Sequence, residues 1–367
     1  MRFFRLLLPT KIPVCLVVPL KIPIIHNVKI RKFLWVVLLF LAAAIWKVKT
    51  RLPVEIADAS YADFLLLSAN GATVAIWGEG SAPFLRLKIM DIATRHVLFS
   101  YPLSFRNPSE VFALSEDGKS VLLSQSILSD SNQTTQIFQW LALGQPNRVI
   151  WMQKNSDSRI LAAQFQGRNV VLLRGSGIET RASSGRVLSS IALNVPCSSK
   201  ETRCAALSSD AKLAAIGCGH FVQIFDVPTG KPQHKLQVPT DNVNRIEFSP
   251  HSKWLAGNAL FGSTKADFEF RELIWNVQSG SLLWGHKDPA WPQRAYCNHD
   301  RALLTQEINS TDNPAFAWRN VQNQQISQDG PRPAINSDRF AGGLKFTRDE
   351  KMAAWLSGGK IWMQRFR

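Results

Sequence analysis

The chain is 367 residues long, with 43 Lys+Arg against 27 Asp+Glu and a formal net charge of +16. At 46% apolar and 19% charged residues it is too apolar for a wholly disordered chain, and its single compact apolar run free of proline and charge excludes a polytopic membrane protein. Ten basic residues and no acidic one fall in residues 1–51, which leaves 33 basic and 27 acidic residues over 52–367, a surplus of only +6. Charge segregated in this way argues against a body that grips nucleic acid, and no nucleic-acid partner is expected.

Residues 6–25 are apolar but broken by Pro9, Pro13, Pro19 and Pro23 and by Lys11 and Lys21. Each proline is costly inside a helix, so residues 1–29 read as a basic, proline-interrupted extension. Phe33 to Trp46 follows as FLWVVLLFLAAAIW, an uncharged run between Lys32 and Lys47. The run alone is short of the roughly 30 Å hydrocarbon core, but snorkelling lysine stems extend the effective span to residues 30–48. The segment is therefore predicted to be one hydrophobic helix that anchors the chain in a membrane. Ala42-Ala43-Ala44 has the small residues of a cleavage site but lies inside the apolar run, which favours an uncleaved anchor. Seven Lys/Arg precede the run and three follow it, which predicts a cytoplasmic N-terminus and an extracytoplasmic remainder, periplasmic or extracellular.

From residue 60 onward, short β-branched and aromatic runs alternate with turn residues every eight to twelve positions, an all-β pattern. One unit recurs. Phe64–Gly71 (FLLLSANG), Val111–Gly118 (VFALSEDG), Ala162–Gly167, Cys204–Asp210, Arg245–His251, Ala295–Asp300 and Leu344–Asp349 align on a strand end and the turn after it. Anchor positions near 68, 115, 165, 208, 249, 297 and 347 give a period of 41 to 50 residues. A small-and-apolar strand follows each anchor, such as Leu213-Ala-Ala-Ile-Gly217. A third strand comes next, such as Val222–Asp226 or Leu273–Asn276, and then a turn and a fourth strand, such as Ser281–Trp284.

These repeats resemble the WD-repeat family of β-propellers over about residues 52–367, with Phe225-Asp226 and Trp275-Asn276 where that family has Trp-Asp. The resemblance implies a seven-bladed β-propeller of four-stranded antiparallel blades. It also implies a structural hydrogen-bonding tetrad of His286, Thr305, Asp312 and Trp318, which would tie an inter-blade loop to a third strand. The last repeat stops after its third strand. Residues 53–59 look like an orphan strand, which in this family closes the final blade and so removes an exposed sheet edge.

Five cysteines occur with no CxxC pair, so a thiolate zinc site is not expected. Cys197 and Cys204 flank one short loop; in an exported domain they could be bridged, and otherwise they are two thiols near a turn. HExxH, the Walker loop, the GxSxG elbow and the EF-hand loop are absent, so no catalytic residue, cofactor or metal is expected. The expected protein is thus a membrane-anchored, non-enzymatic scaffold that holds an unknown protein partner on one propeller face. Three longer insertions are candidate contacts: 125–134; 261–270 with Phe261, Phe268 and Phe270; and 285–293 with the adjoining Trp284 and Trp291. The alternative is a quinoprotein-like or other channel-binding propeller, a ligand binder or enzyme of the cell envelope, suggested by the Ser279–Trp284 strand.

Overall fold

The computed structural model describes residues within 54–365, apart from the segments 59–63, 78–84, 104–108, 129–133, 145–147, 156–158, 196, 198–201, 240–242, 262–268, 289–294, 298–301, 309–313, 323–339 and 358. The extension 1–29 and the expected helix 30–48 lie outside the described residues. Among the described residues no helix is long and apolar enough to cross a membrane.

Every sheet is antiparallel, and all but one are built of strands consecutive in sequence; the exception joins the first strand to the last three. Blade 1 runs Phe64–Leu67, Thr73–Trp77, Leu85–Asp91 and Val97–Leu103. Blade 2 is Ser109–Leu114, Ser120–Leu128, Thr134–Ala142 and Arg148–Asn155; blade 3 is Ile160–Gln166, Asn169–Arg174, Gly177–Ala182 and Val187–Ala192. Blade 4 is Thr202–Leu207, Leu213–Cys218, Phe221–Asp226 and Pro232–Gln237; blade 5 is Val243–Phe248, Trp254–Phe261, Glu269–Asn276 and Leu282–Asp288. Blade 6 shows three strands among the described residues, Ala295–Cys297, Ala302–Ile308 and Pro314–Asn320. Blade 7 is Phe340–Phe346, Met352–Ser357 and Lys360–Arg365, with Val54–Asp58 as its fourth strand.

The fold is an all-β propeller, with one correction to the expected count. Six sheets have four strands and blade 6 has three among the described residues, where seven four-stranded blades were expected. Residues 323–339, which follow the third strand of blade 6, lie outside the described residues. The last blade is completed from the other end of the body. Val54 pairs with Met363, Glu55 with Trp362, Ala57 with Ile361 and Asp58 with Lys360.

The second strands explain why the sheets stack. Asn169–Arg174 and Leu213–Cys218 are each buried from their second residue onward. Side chains alternate between the two faces of a strand, so such a run needs cover on both sides. In blade 2, Val121 and Leu123 pack with Ala75, Leu87 and Ile89 of blade 1, whereas Leu122 packs with Ile160, Val170 and Leu172 of blade 3. Equivalent apolar seams join blades 3 and 4, 4 and 5, and 7 and 1. Trp254, Ala256 and Ile274 of blade 5 meet Val321, which follows blade 6. First strands of neighbouring blades lie side by side, from blade 7 to blade 1 and on through blade 5.

Candidate functional site: the central cavity and its two rims

The turn between first and second strands is nearly the same object five times over. It starts at Ser68, Ser115, Ser208, Ser249 and Thr347. The amide three residues on donates to the backbone carbonyl of that residue, at 2.8 to 2.9 Å. The starting hydroxyl also accepts the amide five residues on: Thr73 at 2.9 Å, Ser120 at 2.8 Å, Leu213 at 2.9 Å, Trp254 at 3.0 Å and Met352 at 3.1 Å. In four of the turns it donates to Asn70, Asp117, Asp210 or Asp349. Those side chains in turn accept the amides of Ala72, Lys119, Lys212 and Lys351. The fourth position takes positive φ in all five, at Gly71, Gly118, Ala211, Ser252 and Glu350.

At Asp117 and Asp349 this geometry acidifies the carboxylate. At Asp117 partial burial is the largest single influence and pulls upward, but the Ser115 hydroxyl, the Lys119 amide and charge and its own amide together hold the carboxyl below its ordinary value. At Asp349 the Thr347 hydroxyl is the leading cause of a downward shift, with the Lys351 amide next. Adjacent turns are also linked. The Arg348 amide donates to Ala69 O at 3.0 Å, the Asn70 amide to Glu116 O at 3.2 Å, and the Thr73 hydroxyl to Gly118 O at 2.8 Å. These bonds join blades 7, 1 and 2 along one rim.

That rim surrounds a central cavity of about 640 Å³, lined by the first strands of blades 1 to 5 and 7. Two ion pairs lie across it. Lys345 Nζ of blade 7 is 2.8 Å from Glu247 Oε1 of blade 5, and Arg348 Nη1 of blade 7 is 3.1 Å from Glu116 Oε1 of blade 2. The first pair is half-buried and the second exposed. Arg245 also lines the cavity and makes no ion pair among the described residues. Among the same residues no cluster of three or more His, Cys, Asp or Glu could hold a metal ion.

The sequence-predicted residues fall in several places. The tetrad's side chains lie outside the described residues, and Asp312 does so entirely. By backbone register His286 pairs with Glu272, Thr305 with Ala317 and Trp318 with Leu304. His286 therefore sits within blade 5's fourth strand. Phe261 ends one strand of a long hairpin and Phe270 pairs with Leu260 in the next, while Trp284 pairs with Ile274. Phe268 and Trp291 lie outside the described residues. Like 261–270, whose two ends are in strands, the other two insertions read as loops are partly strand: 125–128 and Thr134 form a ladder that ends at Leu128↔Thr134, and 285–288 belong to Leu282–Asp288. Both stretches keep regular antiparallel partners, which is why the pairing continues through polar sequence.

The disulfide also differs from the expected pairing: Cys197 is bonded to Cys218, with Cα atoms 5.8 Å apart. The faces of blade 4 give the reason. Cys197 and Cys218 belong to the seam with blade 3, whereas Cys204 packs into the seam with blade 5 and directs its Sγ to Val243 O at 3.5 Å. Sequence reading also missed the cross-cavity pair Lys345–Glu247, because its partners are 98 residues apart and belong to no common motif.

No family model matches the chain, and no curated protein matches it. In contrast, 1226 chains of solved structures resemble it, so the architecture is common. One is a chain of the crystal structure of the mitotic checkpoint complex, with a TM-score of 0.56 at 14% identity, covering 86% of this chain and 91% of that one. At that identity the likeness concerns the fold alone.

Proposed function

We propose that this protein is a membrane-anchored, non-enzymatic scaffold whose partner docks on the face that carries the second-to-third-strand connections. The contrast between the two propeller faces carries this reading. On one face the first-to-second turns are short, repeated and hydrogen-bonded to each other. The opposite face receives the second-to-third hairpins and the connections between blades. There, Ser120–Leu128 with Thr134–Ala142 and Trp254–Phe261 with Glu269–Asn276 run two to three residues per strand longer than Leu213–Cys218 with Phe221–Asp226. At roughly 3.3 Å per residue, these two hairpins extend about 7–10 Å further than that of blade 4. All three candidate contact segments join strand ends on this face. A fixed frame with variable extensions on one side suits recognition.

Residues 30–48 supply the anchor in this proposal, with a cytoplasmic N-terminus and an extracytoplasmic propeller. The Cys197–Cys218 disulfide supports that placement, because such bonds persist in oxidising compartments. A photo-reactive amino acid at Ser131, compared with one at Asp117 on the other face, tests the docking side in native membranes. Protein adducts from position 131 and none from 117 are expected. Adducts from 117 alone would overturn the proposal. The cavity with Arg245 favours a second reading, a small anionic ligand held in the channel. Saturable binding of a small anion that is lost in Arg245→Ala, with no protein adducts from either position, would select it.

A further inference from the structure

The outermost strand of each blade is a sheet edge. Its outward N–H and C=O groups can pair with any extended chain laid beside them, and proteins usually blunt such edges with charge or proline. Most outer strands here follow that rule. Blade 2 has Arg148 and Lys154, blade 4 has Pro232 and Lys235, blade 5 has Lys287 and Asp288, blade 7 has Glu55 and Asp58, and blade 1 has Pro102. Blade 3 departs from it: Val187–Ala192 reads VLSSIA, with neither charge nor proline. Five of its six residues are exposed, among them Val187 at 43% and Leu188 at 45%. A register shift opposite Thr180–Arg181 has counterparts in blades 1, 2, 4 and 5, and beyond it Ser189 to Ala192 run in unbroken register with Thr180 to Gly177.

The charge around this edge indicates what would lie on it. Residues 148–192 hold seven basic residues (Arg148, Lys154, Arg159, Arg168, Arg174, Arg181, Arg186) and two acidic ones (Asp157, Glu179). That excess of five is most of the body's surplus of six. Glu179 is already paired with Arg181, whose guanidinium lies 4.7 Å from the centre of the Trp151 ring and donates to Gly185 O at 2.8 Å. Arg148, Arg168 and Arg186 are exposed and have no ion pair among the described residues. All three sit at strand ends or turns on the face where the Val187 end of the edge lies.

We propose that the outer edge of blade 3 is a strand-addition site for an extended segment of a partner protein, uncharged where it pairs and acidic at the end beside Arg186. Backbone pairing along Ser189–Ala192 would supply affinity, and the unpaired arginines would set direction. A second copy of this chain fits less well, since residues 183–195 contain no carboxylate to place against those arginines. The site is separate from the hairpin face and does not depend on it.

The test uses the full chain and a labelled octapeptide of alternating valine and threonine ending in two C-terminal aspartates; antiparallel pairing sets those aspartates beside Val187. A companion peptide ends in two lysines. Saturable binding of the aspartate peptide is expected. Leu188→Lys, at an exposed position, should weaken it about tenfold or more by charging the edge, and Arg186→Glu should reverse the preference between the two peptides. Equal binding of both peptides, no saturable binding, or affinities unmoved by either substitution would overturn the proposal. So would a wild-type dimer that Leu188→Lys converts to monomer in sedimentation without any peptide effect, which would make a second copy the occupant.

Discussion

The side chain of Gln136, in the third strand of blade 2, holds the backbone of Ile160 at the start of blade 3: its Nε2 donates to Ile160 O at 3.2 Å and its Oε1 accepts the Ile160 amide at 2.7 Å. Both residues are buried, Gln136 at 5% and Ile160 at 0% exposure. A side-chain amide presents one donor and one acceptor in the spacing of a strand neighbour, so Gln136 continues the ladder across a gap between sheets. Gln136→Ala would strand both groups of Ile160 away from water. The expected cost is about 1–3 kcal/mol in denaturant unfolding. Gln136→Leu, similar in volume, should be no better than alanine, which separates lost hydrogen bonding from lost packing.

The repeated turns make a graded prediction from three positions with nearly the same backbone. Ser252 has φ 59° and partial exposure, so Ser252→Gly should stabilise by about 0.5–1 kcal/mol, by relieving a left-handed residue that carries a Cβ. Ala211 has φ 55° but is fully buried in the seam between blades 3 and 4, so removing its methyl should cancel that gain. Gly118→Ala should destabilise outright, because a Cβ there would collide with the Thr73 hydroxyl. Urea midpoints of the three variants, ranked in that order, are the check.

Those turns also show which parts of the fold the sequence exposes and which it hides. Ser68, Ser115, Ser208, Ser249 and Thr347 were readable as anchors because one local hydrogen-bond pattern forces a hydroxyl, a left-handed position and, in four of the five, an acid or amide into fixed spacing. The pairing of Val54 with Met363 follows from a missing strand at one end and a spare one at the other. The disulfide was not readable. Cys204 is nearer in sequence to Cys197, but which seam each thiol faces depends on a register shift between Thr202 and Cys204. The Gln136 clasp and the Lys345–Glu247 pair were hidden for a similar reason: each joins elements from different blades through a single side chain.

Acid should loosen two of these turns and the third-to-fourth-strand turn of blade 1, which begins at Asp91. The carboxyls of Asp91, Asp117 and Asp349 all lie below their ordinary value of 3.8, Asp91 chiefly through the Thr94 amide. Folding therefore favours their charged form. The stabilisation is complete above the unfolded value near 4 and is lost as pH falls through the lower folded values. Asp117→Asn combined with Asp349→Asn should flatten the fall in stability between pH 5 and about pH 2, while the effect at pH 7 stays small because both groups are largely exposed. Urea midpoints across that range would show no change in slope if the turns contribute nothing.

Reducing the chain tests the Cys197–Cys218 bond. The bridge spans 21 residues, and closing a loop of that size in the unfolded chain is worth about 3 kcal/mol. A reductant should lower the unfolding midpoint of the wild type and of Cys204→Ala alike, but leave Cys218→Ser unmoved. A loss of the reductant effect in Cys204→Ala would instead place Cys204 in the bond.

Lys345 and Glu247 allow the cavity itself to be probed. The pair bridges first strands of blades 7 and 5, with side-chain exposures of 26% and 31%, whereas Arg348 and Glu116 are 69% and 72% exposed. Water and salt screen an exposed pair strongly, so the Arg348–Glu116 coupling should be within about 0.3 kcal/mol of zero, while Lys345–Glu247 should reach about 0.5–1 kcal/mol. Double-mutant cycles with Ala at each position measure both terms. Exchange of the charges in Lys345→Glu with Glu247→Lys should recover most of what either reversal loses alone, since a first-strand position in one blade then faces its opposite again across the same opening. Raising salt from 0.05 to about 0.5 M should shrink the inner coupling less than it shrinks any outer one, because the walls of the cavity exclude part of the screening atmosphere. Equal couplings at both sites would mean that the cavity is as wet as the rim.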